Sequence, residues 1–359
     1  MLYTFTSESV SSGHPDKIAD IISDAVATYL IDKNPNNRAA IETLVTTNMV
    51  TLAGEYKSDK FDKKRIEQIV RDVVYEIGYE QDGFHWRNLK VYNELHGQSA
   101  DIALGTDGFG AGDQGLMFGY ACKETDEYMP MAISLSRKII DHVIAFSPYG
   151  PDAKSQVSVE YTTDGRPVRV TKVVCSAQHT KKQSIESVRE NITKVIKRCL
   201  GDWVDDRTEY LINPTGQFII GGPDGDAGLT GRKIIVDTYG GYCPHGGGAF
   251  SGKDCTKVDR SGAYMARFIA KNIVHHYNYR NCTVQLSYAI GVKEPTSLYI
   301  YADGEVRQKL VDVILEMVDL TPEGIINRFN LFDLNLKETA RYGHFGFDYL
   351  PWESLNLFD

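Results

Sequence analysis

The chain reads as α+β, with three similar α/β layers in pseudo-threefold repetition and helices on one face of each mixed sheet. Three observations predict this. A pattern of helix, two strands and helix recurs three times along the sequence. At 359 residues the chain is longer than one hydrophobic core usually serves, so two or three domains are expected. Its 42% hydrophobic and 24% charged residues are ordinary for a soluble globular protein.

In the first third, periodicity predicts a helix over 17–31 and strands over 39–45 and 49–56. A helix over 63–77, closed by Gly78, and a strand over 89–95 follow. The middle third reads as a helix over 131–146 and a hairpin of 155–161 and 168–176 turning at Asp164-Gly165. A helix over 184–200 and a strand over 208–212 complete it. The last third reads as a helix over 260–277, strands over 282–290 and 296–302, and a helix over 305–317. The expected division is an N-terminal α/β domain at 1–97, a glycine-rich mobile loop and link at 98–115, a middle α/β domain at 116–221, and a C-terminal α/β domain with a phosphate-binding loop at 222–359. Within the link, Gly110-Ala111-Gly112-Asp113-Gln114-Gly115 matches a dinucleotide fingerprint in form only. Leu116–Ala121 after it reads as a strand rather than a helix, and Asp113 would repel pyrophosphate. An active-site loop or a plain linker fits better.

Two stretches point to phosphate. Gly247 to Lys253 runs glycine, four residues, glycine, lysine, which lets backbone amides converge on an anion beside a point charge. Asp254 then replaces the Ser or Thr of a P-loop, and 240–244 separates the apolar run Ile234–Val236 from the glycines, so the usual triphosphatase fold is excluded. A glycine-rich surface loop is the alternative. The second stretch, Ser11–Lys17, leads into an amphipathic helix with Pro15 in its first turn. Unpaired amides and the positive dipole end suit an anion, Lys17 adds charge, Asp16 suits a divalent cation, and His14 sits where a ligand atom would lie. A capped helix with solvated charges is the plainer alternative. On the hairpin turning near Thr47-Asn48, Glu42 is expected opposite Ala53, with Glu55 diagonal to it on the same face. Two like charges there call for solvent or a bridging cation.

The net charge of −9 argues against nucleic-acid binding. Six cysteines (122, 175, 199, 243, 255, 282) show neither metal spacing nor a disulfide framework, which predicts reduced thiols in the cytoplasm. Neither an export signal nor a membrane-length apolar run is read, so no membrane partner is expected.

With these stretches read, the chain resembles the S-adenosylmethionine synthetase (methionine adenosyltransferase) family nearly end to end. The resemblance rests on Gly13–Lys17, Gly110–Tyr120, Asp152–Val157, Gly221–Pro223, Gly225–Lys233, Gly246–Arg260 and Tyr342–Gly346. It implies a reaction in which methionine's sulfur attacks C5′ of ATP and expels tripolyphosphate, later hydrolysed to diphosphate and phosphate. The sulfur carries no proton to remove, so alignment and electrostatics are the task. By resemblance His14 lies at the leaving oxygen, Lys154, Arg232 and Lys253 clamp the triphosphate, and Lys17 and Lys233 add charge. Phe218 stacks on adenine beside Gln217, with Asp152 and Ala249 among the ATP-binding positions. Glu55, Gln98, Asp226 and Lys257 hold methionine, and Asp226 also touches the nucleotide. Asp113 sits near the nascent sulfonium. Asp16 and Asp259 match ligands of two Mg²⁺ per site, and Glu42 matches the residue linked to K⁺. The family's sites form between subunits, implying a homodimer or a dimer of dimers. This sequence departs from the family at Gln217, usually Arg; at Asn48, commonly Gly; at Gly262 and Met265, commonly Ala; and in a shorter 98–110 segment, which gates the site and here has less reach over the substrates.

Overall fold

The computed structural model describes residues 1–98, 110–145 and 149–358. The expected gating loop at 99–109, with its glycines at 105 and 108, therefore lies outside the described residues.

Every predicted helix and strand forms, with ends shifted by a few residues. The helix Lys63–Ile77 is capped by Asp62, whose carboxylate accepts from the amides of Lys64 and Arg65, and it ends at Gly78 with φ 94°. Asn48 turns its hairpin at φ 44°, a left-handed conformation asparagine accepts. The register is the one expected: Glu42 faces Ala53, and Glu55 faces Ala40.

Three four-stranded sheets result. The first runs Leu2–Val10, Tyr149–Thr162, Pro167–His179, Glu209–Ile212, antiparallel until its parallel last pair. The second runs Gly228–Leu229, Arg38–Thr46, Met49–Lys57, Lys90–Gly97, again ending in a parallel pair. The third runs Glu305–Val306, Ser297–Ala302, Asn281–Tyr288, Gly115–Cys122, and it is antiparallel throughout rather than mixed. Among the described residues no strand follows its second helix, and the edge is taken by Gly115–Cys122, which pairs antiparallel.

The sheets thus exchange edge strands between the expected sequence divisions. Leu2–Val10 leaves the first third for the middle sheet, and Gly228–Leu229 returns from the last third to close the first sheet. Each borrowed strand satisfies an edge that would otherwise present unpaired amides and carbonyls. Alternating burial along Asn281–Tyr288 and Arg38–Thr46 follows from helices covering one sheet face. The helix Val258–Tyr277 is buried on nearly every side. It joins the first and third layers into one core, while the middle sheet keeps its own. Within that helix, a Cβ on Gly262 would come 3.3 Å from the Met117 side chain, so the missing methyl makes room for Met117. The link's glycine string forms no dinucleotide turn: Asp113 bonds the Gln114 amide at 2.8 Å and a strand follows.

Candidate active site

The helix Pro15–Ile31 begins at His14, whose Nδ1 accepts the Asp16 amide at 3.2 Å. Nδ1 is therefore the acceptor, and the ring proton sits on Nε2. Burial and the nearby Lys233 charge lower His14 to about 3, so the imidazole is neutral and its Nε2–H is a donor. Close packing fixes this corner. A Cβ on Gly13 would strike the Pro151 carbonyl at 2.3 Å, and one on Gly228 would strike that of Pro15 at 2.2 Å. The buried Tyr79 hydroxyl donates to the Gly13 carbonyl at 2.5 Å.

Cations gather here. Lys233 pairs with Asp16 Oδ2 at 2.5 Å, Arg232 reaches Oδ1 at 3.8 Å, and the Leu229 amide donates to the same oxygen at 3.0 Å. Burial pushes the Asp16 carboxyl up, but the Lys233 and Leu229 hydrogen bonds and the Lys233 charge hold it below its ordinary value. Lys154 lies close enough for its charge to act on His14, and it pairs with Glu8 at 2.9 Å. Glu8 and Lys154 are diagonal neighbours in the Leu2–Val10 ladder, opposite Gln156 and Val10.

Lys17 departs from expectation. Its ammonium is fully buried, bonded to Asp20 at 3.0 Å and Asp237 at 2.5 Å, and does not face the anion site. The helix turns it inward, since it lies one residue past Asp16 and about 100° round the axis. Asp20 in turn accepts the Gly231 amide at 2.9 Å, so this buried cluster holds the loop carrying Arg232 and Lys233.

A second cluster forms where the glycine loop meets the second sheet. Lys253 pairs with Asp259 at 2.6 Å, and its backbone bridges Ala40. Ala40 faces Glu55 across the hairpin, and Gln98 continues from that sheet with its amide on the Tyr56 carbonyl at 2.8 Å. Desolvation raises Glu42, countered by Lys253 and reinforced by Glu55. Asp254, the residue that breaks the P-loop pattern, is fully buried. It accepts from the Ala39 and Thr256 amides at 2.9 Å each and from Lys257 Nζ at 2.6 Å. It anchors the loop.

A third group surrounds Phe218, which is half-buried and exchanges hydrogen bonds with His179 at 2.8 and 3.1 Å. Buried Asp152 accepts the Gly222 amide at 2.7 Å; burial pushes its carboxyl up to about 6 against that bond, with Asp226 nearby adding to the rise. Ala249 belongs elsewhere, against the loop that carries Arg232 and Lys233: a Cβ on Gly231 would come 2.7 Å from that of Ala249. Gln217, Asp226 and Asp113 are exposed. Four carboxylates outside the sequence expectations also matter: Glu8, Asp24 and Asp237 pair with residues far along the chain, while Asp20 pairs with Lys17 three residues away. Only Asp20 carried a legible signal, its helical spacing from Lys17.

Three family models match in order: S-adenosylmethionine synthetase N-terminal domain at 2–100, central domain at 108–218, and C-terminal domain at 220–354. The S-adenosylmethionine synthase of Rhodospirillum centenum is 51% identical over 377 aligned residues, covering 99% of this chain and 97% of that one. S-adenosylmethionine synthase 2 of Rhodospirillum rubrum is 50% identical, covering 96% and 92%. A solved structure described as an unusual S-adenosylmethionine synthetase from Campylobacter jejuni superposes with a TM-score of 0.91 at 40% identity, over 99% of this chain and 97% of that one. With all three domain models in sequence and half-identical relatives along almost its whole length, the chain belongs to the S-adenosylmethionine synthetase family.

Proposed function

We propose that the chain is a methionine adenosyltransferase: methionine's sulfur attacks C5′ of ATP, tripolyphosphate leaves, and water then splits it into diphosphate and phosphate. The observation that carries this is a neutral His14 donor ringed by Lys154, Arg232 and Lys233 at a helix start. The C–O bond breaks as the S–C bond forms, and the negative charge passes to the leaving oxygen. His14 Nε2–H donates to that oxygen without transferring a proton, while the cations offset charge on the phosphates. Phe218 stacks on adenine, with Asp152, Gln217 and Ala249 lining the nucleotide. Glu55, Gln98, Asp226 and Lys257 hold methionine's charged groups, and Asp113 favours the sulfonium. Lys17 acts only through the buried cluster beneath the loop.

Asp16 and Asp259 would hold two Mg²⁺, and Glu42 a K⁺. The donor chemistry fits: both aspartates already hold an ammonium within hydrogen-bond distance. No group of three or more acidic, His or Cys ligands occurs among the described residues, so triphosphate oxygens and water would complete each shell. Bound there, the divalent ions would neutralise charge on the departing triphosphate.

The glycine turn holding Lys253 bonds Asp24 through Gly252, eight residues along the helix from Asp16, about 12 Å away. The resemblance to a family whose sites form between subunits supports a homodimer, and this spacing leaves room for each site to combine one protomer's His14 cluster with its partner's Lys253 cluster. Six buried free cysteines support a cytoplasmic enzyme, and no helix among the described residues is long and apolar enough to cross a membrane.

Incubation with ATP, methionine, Mg²⁺ and K⁺ should give S-adenosylmethionine with equal diphosphate and phosphate; ADP release, or product that ignores methionine, refutes the assignment. A regulatory homologue that only binds nucleotide would bind ATP without forming this product. Mixing inactive His14→Ala with inactive Lys253→Ala protein should restore part of the activity once subunits exchange, since one composite site then holds both native clusters. Pairing Glu55→Ala with Lys253→Ala should restore none, because those positions flank Ala40 in one protomer. The reverse result would dismiss this division. Asp152 is ionised above its titration near 6 and loses its charge as pH falls through it. From pH 7.5 to 5.5 the KM for ATP should rise about fourfold in wild type, and Asp152→Asn should flatten that dependence. An unchanged slope in the variant would assign the titration elsewhere.

A further inference from the structure

Arg260 is fully buried, and all three of its guanidinium nitrogens are bonded. Nη1 donates to Asp24 Oδ1 at 2.6 Å and to the carbonyls of Phe250 and Lys253 at 3.1 Å each. Nη2 donates to Asp24 Oδ2 at 3.1 Å and Thr339 Oγ1 at 2.8 Å, and Nε to the Tyr264 hydroxyl at 3.0 Å. Asp24 Oδ1 also accepts the Gly252 amide at 2.8 Å. The pair therefore holds three stations of one turn: the carbonyl of 250, the amide of 252 and the carbonyl of 253. That turn has no slack, because Gly252 stands at φ 82° and a Cβ there would lie 2.0 Å from the Ile41 carbonyl.

Behind the arginine the network continues into the C-terminal segment. The Tyr264 hydroxyl accepts from Arg260 and shares a hydrogen bond of 2.7 Å with His344 Nδ1. Burial and the charges of Arg260, Lys17 and Arg137 keep His344 neutral. His344 is pinned by its amide on the Asp237 carbonyl at 2.9 Å and by Trp352 Nε1 on its own carbonyl at 2.8 Å. Asp24, Arg260, Tyr264, Thr339 and His344 are all buried. What the network touches is the backbone of Lys253, and a lysine's flexible stem can be aimed only as well as its backbone is held.

We propose that Arg260 and Tyr264, with Asp24, Thr339 and His344, are positioning residues that aim Lys253 at the triphosphate. This rests on Lys253 binding triphosphate, as assigned above. Affinity in Mg²⁺ for diimidotriphosphate, a tripolyphosphate analogue whose P–N–P bridges resist hydrolysis, measured by calorimetry on the assembled protein, tests it in a double-mutant cycle. Tyr264→Phe and Thr339→Val should each weaken this analogue about fivefold, with methionine affinity unchanged. In a Lys253→Ala background, neither should cost more than a further twofold, because the group through which they act is gone. Losses that multiply in the doubles, or singles that bind as wild type, overturn the positioning role. Wild-type affinity in Lys253→Ala alone would instead remove the assignment of Lys253 to phosphate. If Tyr264→Phe fails to assemble, Thr339→Val carries the same cycle.

Discussion

His14→Ala is expected to slow S-adenosylmethionine formation about 10²–10³-fold, the usual cost of losing one aimed donor to developing negative charge. Hydrolysis of added tripolyphosphate should fall only a few-fold. The two steps differ in what they ask of this corner: adenosyl transfer builds charge on the oxygen leaving C5′, whereas hydrolysis depends on the phosphate clamp. Because burial keeps His14 neutral down to about 3, its loss should change the height of the pH profile and not its shape above pH 5. Lys253→Ala should show the opposite selectivity, impairing tripolyphosphate hydrolysis at least as strongly as transfer. Equal losses of both activities in His14→Ala would contradict the leaving-oxygen role, as would a new ionisation in its profile.

The largest stability effect is expected far from the site. Glu353 is buried and accepts from Arg267 at 3.1 and 2.9 Å, from Lys271 at 2.8 Å and from the Gly346 amide at 2.7 Å. Glu353→Ala strands two buried cations and should cost about 3–5 kcal/mol, on the order of 5–10 °C in Tm for a chain of this size. Burial raises Glu353, but the Arg267 and Lys271 partners outweigh it and hold the carboxyl below the ordinary glutamate value. Its stabilisation is therefore complete above that ordinary value and is lost as pH falls through the lowered one. The Tm gap between wild type and Glu353→Ala should be constant at neutral pH and narrow only in acid. A gap below about 1 °C would show that the cations find other partners, as exposed pairs do.

Both predictions concern residues whose importance is unequally visible in sequence. His14 was legible because a helix start is a local event: Pro15, the apolar spacing behind it and the short polar run before it lie within a few residues of one another. The hairpin register of Glu42 and Glu55 was legible for the same reason, since a two-residue turn at Thr47-Asn48 sets every pair that follows. Helix ends at Asp62 and Gly78, the rejected fingerprint at 110–115 and the glycine loop at 246–253 also depend on adjacent side chains and backbone angles. The sequence alone therefore determined the elements, the order of the three layers, and, through its long matching strings, the family.

Partnership across the chain was decided only in three dimensions. That Leu2–Val10 joins the middle sheet, that Gly228–Leu229 closes the first, and that the third sheet has no parallel pair depend on which exposed edges meet, and edge pairing leaves no residue-level mark. Lys17 and Lys233 are both lysines beside a phosphate signature, yet one is sealed between Asp20 and Asp237 and the other stands at Asp16. Charge alone could not separate them. Asp24, 236 residues from Arg260, completes the clamp beneath Lys253. A buried charge must find its counter-charge wherever the fold brings one, so its role is set by long-range packing and not by its neighbours in sequence.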